Sequence, residues 1–334
     1  MLEKPDIPDE LIISCLQKEY ALYNMQLEFL PLGADMGTVV YRVLTEEGSA
    51  YFLKLRRGFA EIIVSVPLFL KEQGLQAIIA PFETSSEQGW ADFGEYKMIL
   101  YSFIEGQDGF DRELTDHHRK TLGAALKRMH TTALPPELKQ RIPQETYSPQ
   151  WRQSLRSFQS LVESRTFDDP SAAKLAAFMK SKRNEINHLV NRTEELVSEV
   201  QSQPLEFVLC HTDIHGGNIL ISEDDQLYIV DWDNPLLAPK ERDLMFIGGG
   251  IDEIWKSKRE EAVFYEGYGE PEINIAALAY YRYERIIEDL AVIGEQLLLT
   301  EEGGADREQA YGWFTSNFEA GRTIEIAEKT YRAA

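Results

Sequence analysis

The sequence predicts an α+β protein of two lobes, a small β-rich lobe over residues 1–103 and a large, mostly α-helical lobe over residues 104–334. Three observations predict it. Runs of β-type composition are concentrated in the first hundred residues, and helical periodicity dominates afterwards. Between them, Glu105-Gly106-Gln107-Asp108-Gly109 breaks both periods, as a hinge would.

The elements follow in order. A short helix is expected over Asp9–Tyr20, then strands at Met25–Leu30, Val39–Thr45 and Ala50–Leu55, which are rich in β-branched, aromatic and leucine residues. Glu46-Glu47-Gly48-Ser49 separates the last two as a hairpin loop. A helix from about Ala60 to Gln73 closes at Gly74, and strands follow near Ala77–Phe82 and Tyr96–Phe103. In the second lobe, Leu122, Ala125, Leu126 and Met129 recur at helical spacing, and Thr146–Val162 reads as a helix with Pro149 near its start. Ser171–Gln201 reads as one long helix with an apolar stripe. Short strands are expected at Phe207–Cys210, Ile219–Ile221 and Leu227–Val230, with helices from Lys240 onward.

Composition narrows the function. A formal charge of −22 argues against nucleic acid, which needs a basic face; it suits a small cationic substrate, or simply keeps the surface soluble. No apolar run approaches the roughly 20 residues of a membrane span, and the first residues lack the pattern of a signal peptide, so a cytoplasmic location is expected. Cys15 and Cys210 have no metal or redox spacing and read as reduced thiols. No obligate protein partner is implied.

The most informative segment is Val208-Leu-Cys-His-Thr-Asp-Ile-His-Gly-Gly-Asn-Ile-Leu-Ile221, with His211, Asp213 and Asn218 in the pattern H-x-D-x-x-x-x-N between two apolar runs. A chain of this length shows about 0.04 such matches by chance. Tyr228-Ile-Val-Asp231 places another acid at a strand end. This is the order of the catalytic loop and metal-binding acid of kinases. Phosphoryl transfer needs an acceptor hydroxyl held in line, an acid to take its proton, and cations on the phosphate oxygens. Asp213 is the candidate catalytic base, while Asn218 and Asp231 supply the oxygens that Mg²⁺ prefers. Gly216 and Gly217 are expected to ease the reversal of the loop and His211 to brace it, while His215 is either a second brace or a proton carrier.

The small lobe adds Lys54, a lone cation inside the apolar strand Tyr51-Phe-Leu-Lys-Leu55, where kinases hold their phosphate-binding lysine. Glu61, at the start of the next helix, is its expected ion-pair partner, with Glu72 as a rival. Gly33, Asp35, Met36 and Gly37 lie in a loop that covers phosphates by position only, since it lacks the G-x-G-x-x-G spacing.

These residues, with the helix Leu122-Gly-Ala-Ala-Leu-Lys-Arg-Met-His130, resemble the aminoglycoside phosphotransferase family of the kinase-like superfamily. Longer phrases resemble its spectinomycin-phosphorylating branch: Tyr147-Ser-Pro-Gln-Trp-Arg152, Val230-Asp-Trp-Asp233, Ala238-Pro-Lys-Glu-Arg-Asp-Leu-Met-Phe-Ile-Gly-Gly-Gly250, Phe264-Tyr-Glu-Gly-Tyr-Gly269 and Tyr280-Tyr-Arg-Tyr-Glu-Arg285. The resemblance implies a bilobal protein-kinase-like fold and ATP- and Mg²⁺-dependent O-phosphorylation of spectinomycin. It implies that Tyr101, Ser102, Phe103 and Ile104 form the adenine-binding hinge and that Asp243 is a structural acid behind the catalytic loop. Thr212 stands where many members have glycine. Spectinomycin carries two methylamino groups, so carboxylates and aromatic rings are expected to face it. Besides Asp213, the candidates by chemistry are Tyr265, Glu266, Tyr268, Glu284 and Asp289. The alternative is a metabolic kinase of the same fold acting on choline, homoserine or a sugar; a regulatory pseudokinase is disfavoured because Lys54, Asp213, Asn218 and Asp231 are all present.

Overall fold

The computed structural model describes residues 4–32, 37–250, 254–300, 304 and 306–333. In chain order the elements are α1 (Asp9–Tyr20), β1 (Met25–Leu30), β2 (Thr38–Thr45), β3 (Ala50–Arg56), α2 (Ile62–Glu72), β4 (Ala91–Phe93), β5 (Tyr96–Ser102), β6 (Gly106–Asp108), α3 (Asp116–Thr131) and α4 (Pro136–Arg141). There follow α5 (Gln150–Ser164), α6 (Pro170–Ser181), α7 (Arg183–Gln201), β7 (Val208–Cys210), β8 (Ile219–Ser222), β9 (Leu227–Ile229) and β10 (Leu236–Ala238). The chain ends with α8 (Glu241–Leu244), α9 (Lys258–Tyr268), α10 (Ile275–Leu299), α11 (Asp306–Ser316) and α12 (Thr323–Tyr331). They divide into two compact units, residues 1–143 with 214–235, and residues 144–213 with 236–334. This division differs from a cut at Phe103, because α3, α4 and the β8–β9 hairpin group with the amino-terminal sheet.

In the first unit, five antiparallel strands run in the order β1-β2-β3-β5-β4. Their alternation sends Tyr41, Val43, Leu53, Leu55, Met98 and Leu100 into one core with Ile12 and Leu16 of α1. Lys54 therefore points to the other face, opposite Val40 on β2 and Ile99 on β5. A second sheet, β6-β8-β9, sits within the same unit. Gly106 starts β6, and a Cβ there would lie 2.2 Å from the Ile221 carbonyl oxygen, so the strand requires glycine at that point.

Two expectations fail in this unit. Ala77–Phe82 is not a strand: the Ile229 amide donates to the Ala77 oxygen, and Ile78 makes only an isolated parallel bridge to Ile229. Pro81 removes a ladder donor there. Within the expected hinge stretch, where no strand was expected, the short strand β6 pairs with β8 from Gly106–Ser222 to Asp108–Leu220.

In the second unit, α10 is central and packs against α5, α6, α7, α8, α11 and α12. Tyr280, Tyr281 and Tyr283 on it are fully buried. The two strands β7 and β10 pair antiparallel, Cys210 opposite Leu236. The long helix expected over Ser171–Gln201 breaks at Lys182, whose backbone leaves helical geometry (φ −100°, ψ 12°), giving α6 and α7. Pro149 sits before α5 and delays its start to Gln150. No helix among the described residues is long and apolar enough to cross a membrane.

Candidate active site

Within the first unit, charge converges on the face of β3 away from the core. Lys54 Nζ donates to Asp231 Oδ1 at 2.6 Å and to Asp233 Oδ1 at 2.7 Å. Arg56 is two residues on, hence on the same face, and pairs with the other oxygen of Asp233 while donating to Thr38 Oγ1 at 3.1 Å. Lys54 is 7% exposed, and burial alone would lower its pKa. The attraction of Asp231 and Asp233 outweighs that, so the pKa lies above the ordinary lysine value and the ammonium stays charged. Burial pushes the Asp233 carboxyl up, against the pull of Lys54.

The ion pair expected between Lys54 and Glu61 is corrected by this geometry. Glu61 precedes α2 with its side chain half exposed and pairs with Arg141, at the end of α4, at 2.8 Å. The buried ammonium takes two carboxylates from beyond β9 instead, and Glu72 is exposed at the helix end. The hinge candidates Tyr101 and Ser102 end β5; the Phe103 amide donates to the Ala50 oxygen at 3.2 Å, and Ile104 leads into β6. Burial raises the Tyr101 phenol well above its ordinary value, Asp233 and Asp231 adding to the effect. Gly33, Asp35 and Met36 lie outside the described residues, while the Gly37 oxygen accepts from the Arg57 amide.

The loop leading to Asn218 is braced from its own unit. His215 Nδ1 accepts from the Gly217 amide at 3.1 Å, its Nε2 lies 3.3 Å from Asn218 Nδ2, and its ring stacks on Phe110. Gly217 has no positive φ; a Cβ there would come within 2.9 Å of Phe110 and 3.1 Å of His215. Its value is room for the brace, not the backbone reversal expected. The Val230 amide then donates to the Asn218 oxygen at 3.0 Å, tying the two candidate metal ligands to one hairpin. Asp231 adopts a left-handed φ of 65°.

Within the second unit, His211, Thr212 and Asp213 run out from the end of β7. Asp243 on α8 is wholly buried, and its two oxygens accept from the His211 amide at 3.0 Å and the Thr212 amide at 2.6 Å. These bonds satisfy a carboxylate that burial would otherwise penalise. They also hold Thr212 at φ 77°, an unfavourable angle for a β-branched residue that costs about 1–3 kcal/mol. His211 Nδ1 accepts from the Asp213 amide at 3.3 Å. The Asp213 carboxylate accepts from Arg285 Nη1 on α10 at 2.6 Å.

The candidate substrate residues of this unit are mostly committed elsewhere. Tyr268 is 2% exposed and stacks on Phe264, so it is a core residue, and the expectation that it faces substrate is corrected. Glu284 is engaged by the buried Arg152, which also donates to the Tyr147 and Ser148 oxygens at 3.0 Å. Burial pushes the Glu284 carboxyl up to about 7 although Arg152 pulls the other way. Asp289 Oδ1 is 2.9 Å from Arg285 Nε, and burial pushes its carboxyl up to about 6. Glu266 is exposed on α9, and Tyr265 packs edge-on against Phe264.

Four charged residues of these clusters, Arg56, Asp233, Arg152 and Arg285, were not expected from the sequence. Arg56 and Asp233 carried a signal: each stands two positions from a residue already singled out. Arg152 and Arg285 end two of the phrases that carry the family resemblance, but nothing in their spacing assigned either a role.

The Phosphotransferase enzyme family profile, APH, matches residues 28–276. The crystal structure of spectinomycin phosphotransferase APH(9)-Ia in complex with ADP and spectinomycin is similar at 37% identity and TM-score 0.91, covering 98% of this chain and all of that one. An AMP-bound complex of APH(9)-Ia matches at 36% identity and TM-score 0.85, over 95% of this chain and 97% of that one. Choline kinase LicA from Streptococcus pneumoniae shares the fold at 16% identity and TM-score 0.57, over 92% of this chain and 99% of that one. The fold is thus kinase-like, a small antiparallel sheet followed by a helical region, and the chain belongs to the APH phosphotransferase enzyme family.

Proposed function

We propose that this enzyme transfers the γ-phosphate of ATP to one hydroxyl of spectinomycin and so confers resistance to that antibiotic. The observation that carries the reading is the likeness, at 37% identity over almost the whole chain, to a phosphotransferase solved with spectinomycin and ADP. The residues support the same chemistry. Lys54 exchanges its carboxylate partners for the α- and β-phosphates of the nucleotide, and Tyr101 to Ile104 receive the adenine. Asn218 and Asp231 fit Mg²⁺: both are oxygen donors on one hairpin, and the Asp231 side chain is 44% exposed despite its contact with Lys54. Bound there, the ion neutralises charge on the phosphate oxygens. Asp213 accepts the proton of the acceptor hydroxyl, and its backbone is held for that task by Asp243 and His211. The net charge of −22 favours a cationic acceptor.

A metabolic alcohol kinase is the second reading, since choline kinase shares the fold; at 16% identity that likeness carries no substrate. An ATP-consumption assay across spectinomycin, kanamycin-type aminoglycosides, choline, homoserine and simple sugars decides. Spectinomycin is expected to stimulate ATP use most. Stimulation by a metabolic alcohol alone would replace the proposal with the second reading.

A further inference from the structure

We propose that Arg285 is a positioning residue for the base, holding the Asp213 carboxylate in one orientation from a guanidinium that is ion-paired with Asp289 one helical turn away. The inference rests on the reading of Asp213 as base and extends it to α10.

The geometry is that of a clamp. Arg285 and Asp289 are four residues apart on α10, so their side chains share a face. Nε meets Asp289 Oδ1 at 2.9 Å and Nη1 meets Asp213 Oδ1 at 2.6 Å. The Nη1 hydrogen bond to Asp213 and the charge pairing of Nε with Asp289 hold the planar group between two carboxylates. The Phe246 ring lies beneath it, 5.6 Å from the guanidinium carbon. The backbone before Asp213 is already fixed, by Asp243 on the His211 and Thr212 amides and by His211 on the amide of Asp213 itself. The torsions of the Asp213 side chain are what Arg285 adds to that control.

A purely structural role fits less well. The Asp213 side chain is 33% exposed, and ion pairs of that exposure contribute little stability. The attachment of α10 has other arginines: Arg282 donates to the Met245 and Ile247 oxygens and to Thr330, and Arg152 engages Glu284. A cation against the base also weakens its hold on a proton. Phosphoryl transfer tolerates that, because its catalysis is mostly positioning.

The test compares Arg285→Gln, Arg285→Lys and Asp289→Asn in the full-length enzyme, with kcat and KM for both substrates, binding of a fluorescent ATP analogue, and Tm. Arg285→Gln is expected to lower kcat by about 10- to 100-fold, with ATP affinity and Tm close to wild type. Arg285→Lys, which keeps the charge without the fork, should recover part of the loss, and Asp289→Asn should show a smaller one. Unchanged kcat in Arg285→Gln would overturn the proposal, as would a loss matched by equal losses of ATP binding and Tm. The comparison is run with spectinomycin or, where the wild type does not phosphorylate it, with whichever acceptor it does. Failure of the substrate reading is then seen in the wild type alone, and failure of the Arg285 proposal in the variants.

Discussion

Lys54 and Arg285 are both cations held between two carboxylates, yet the two clusters are assembled in opposite ways. In the first unit, Lys54 and Arg56 come from one strand and their acids from a segment 177 residues away. In the second, Arg285 and Asp289 are neighbours on one helix, and the distant partner is Asp213, the candidate base. The first cluster gathers charge where phosphate and metal are expected. The second fixes the direction of a single carboxylate. If the proposed roles hold, the difference teaches that Lys54 is free to exchange its distant carboxylates for phosphate on binding, whereas Arg285 keeps its partner on its own helix and orients the candidate base.

The strongest way to break this comparison is to truncate one acid from each side. Asp213→Ala is expected to lower kcat by about 10² to 10⁴ while nucleotide still binds. Asp231→Ala should instead weaken Mg²⁺-dependent nucleotide binding, and Asn218→Ala should do so less, because it removes a neutral ligand. A magnesium titration beside turnover separates them. Unchanged magnesium activation in Asp231→Ala would remove that residue from the metal site, and near-normal turnover in Asp213→Ala would remove the base.

The next effect is on stability and concerns the scaffolding alone. At pH 8, where Glu284 is ionised, Arg152→Ala leaves that carboxylate buried without its cation and should destabilise the protein by about 3 kcal/mol, read by urea denaturation. Loss below 1 kcal/mol would mean that this ion pair is not structural.

The smallest effect is the pH dependence of the same pair. Glu284 is raised to about 7 from 4.5, so the folded state binds its proton more tightly than the unfolded state between those values. Its contribution is complete below about pH 4.5 and is lost as pH rises through 7. Glu284→Gln should therefore flatten the fall in stability from pH 5 to pH 8 by roughly 2 kcal/mol, leaving the weaker slope of Asp289, which is raised to about 6. An identical slope in wild type and Glu284→Gln would contradict the burial of that carboxyl.

What was legible in the sequence follows the same division. The strands β1, β2, β3 and β5 were readable to within a residue or two because alternation sends one face into a shared core. Lys54 stood out because a cation inside an apolar strand is exceptional, and the catalytic loop because its spacing is improbable by chance. Asp233 was harder to see, since its partner Arg56 is set by sheet geometry rather than by neighbourhood in the chain. On the helices, charges at three- and four-residue spacing are ordinary, so nothing marked Arg285 as the residue against Asp213. The side chains of Tyr268 and Glu284 suit a cationic drug by chemistry, but burial decides their roles, and burial is a property of the packed helices. The break at Lys182 was invisible because the apolar stripe continues across it.

The most direct test of the account is the ratio of kcat/KM for spectinomycin to that for kanamycin, measured by ATP turnover with the phosphorylated product identified by mass. Kanamycin carries more positive charge, so attraction to an acidic protein would favour it, whereas in-line transfer requires one well-placed hydroxyl. The account predicts a spectinomycin monophosphate, a ratio well above 10, and spectinomycin resistance in a sensitive bacterium expressing the gene. Equal or better turnover of kanamycin, or no phosphorylated spectinomycin, would contradict it and leave the phosphotransferase fold without this substrate.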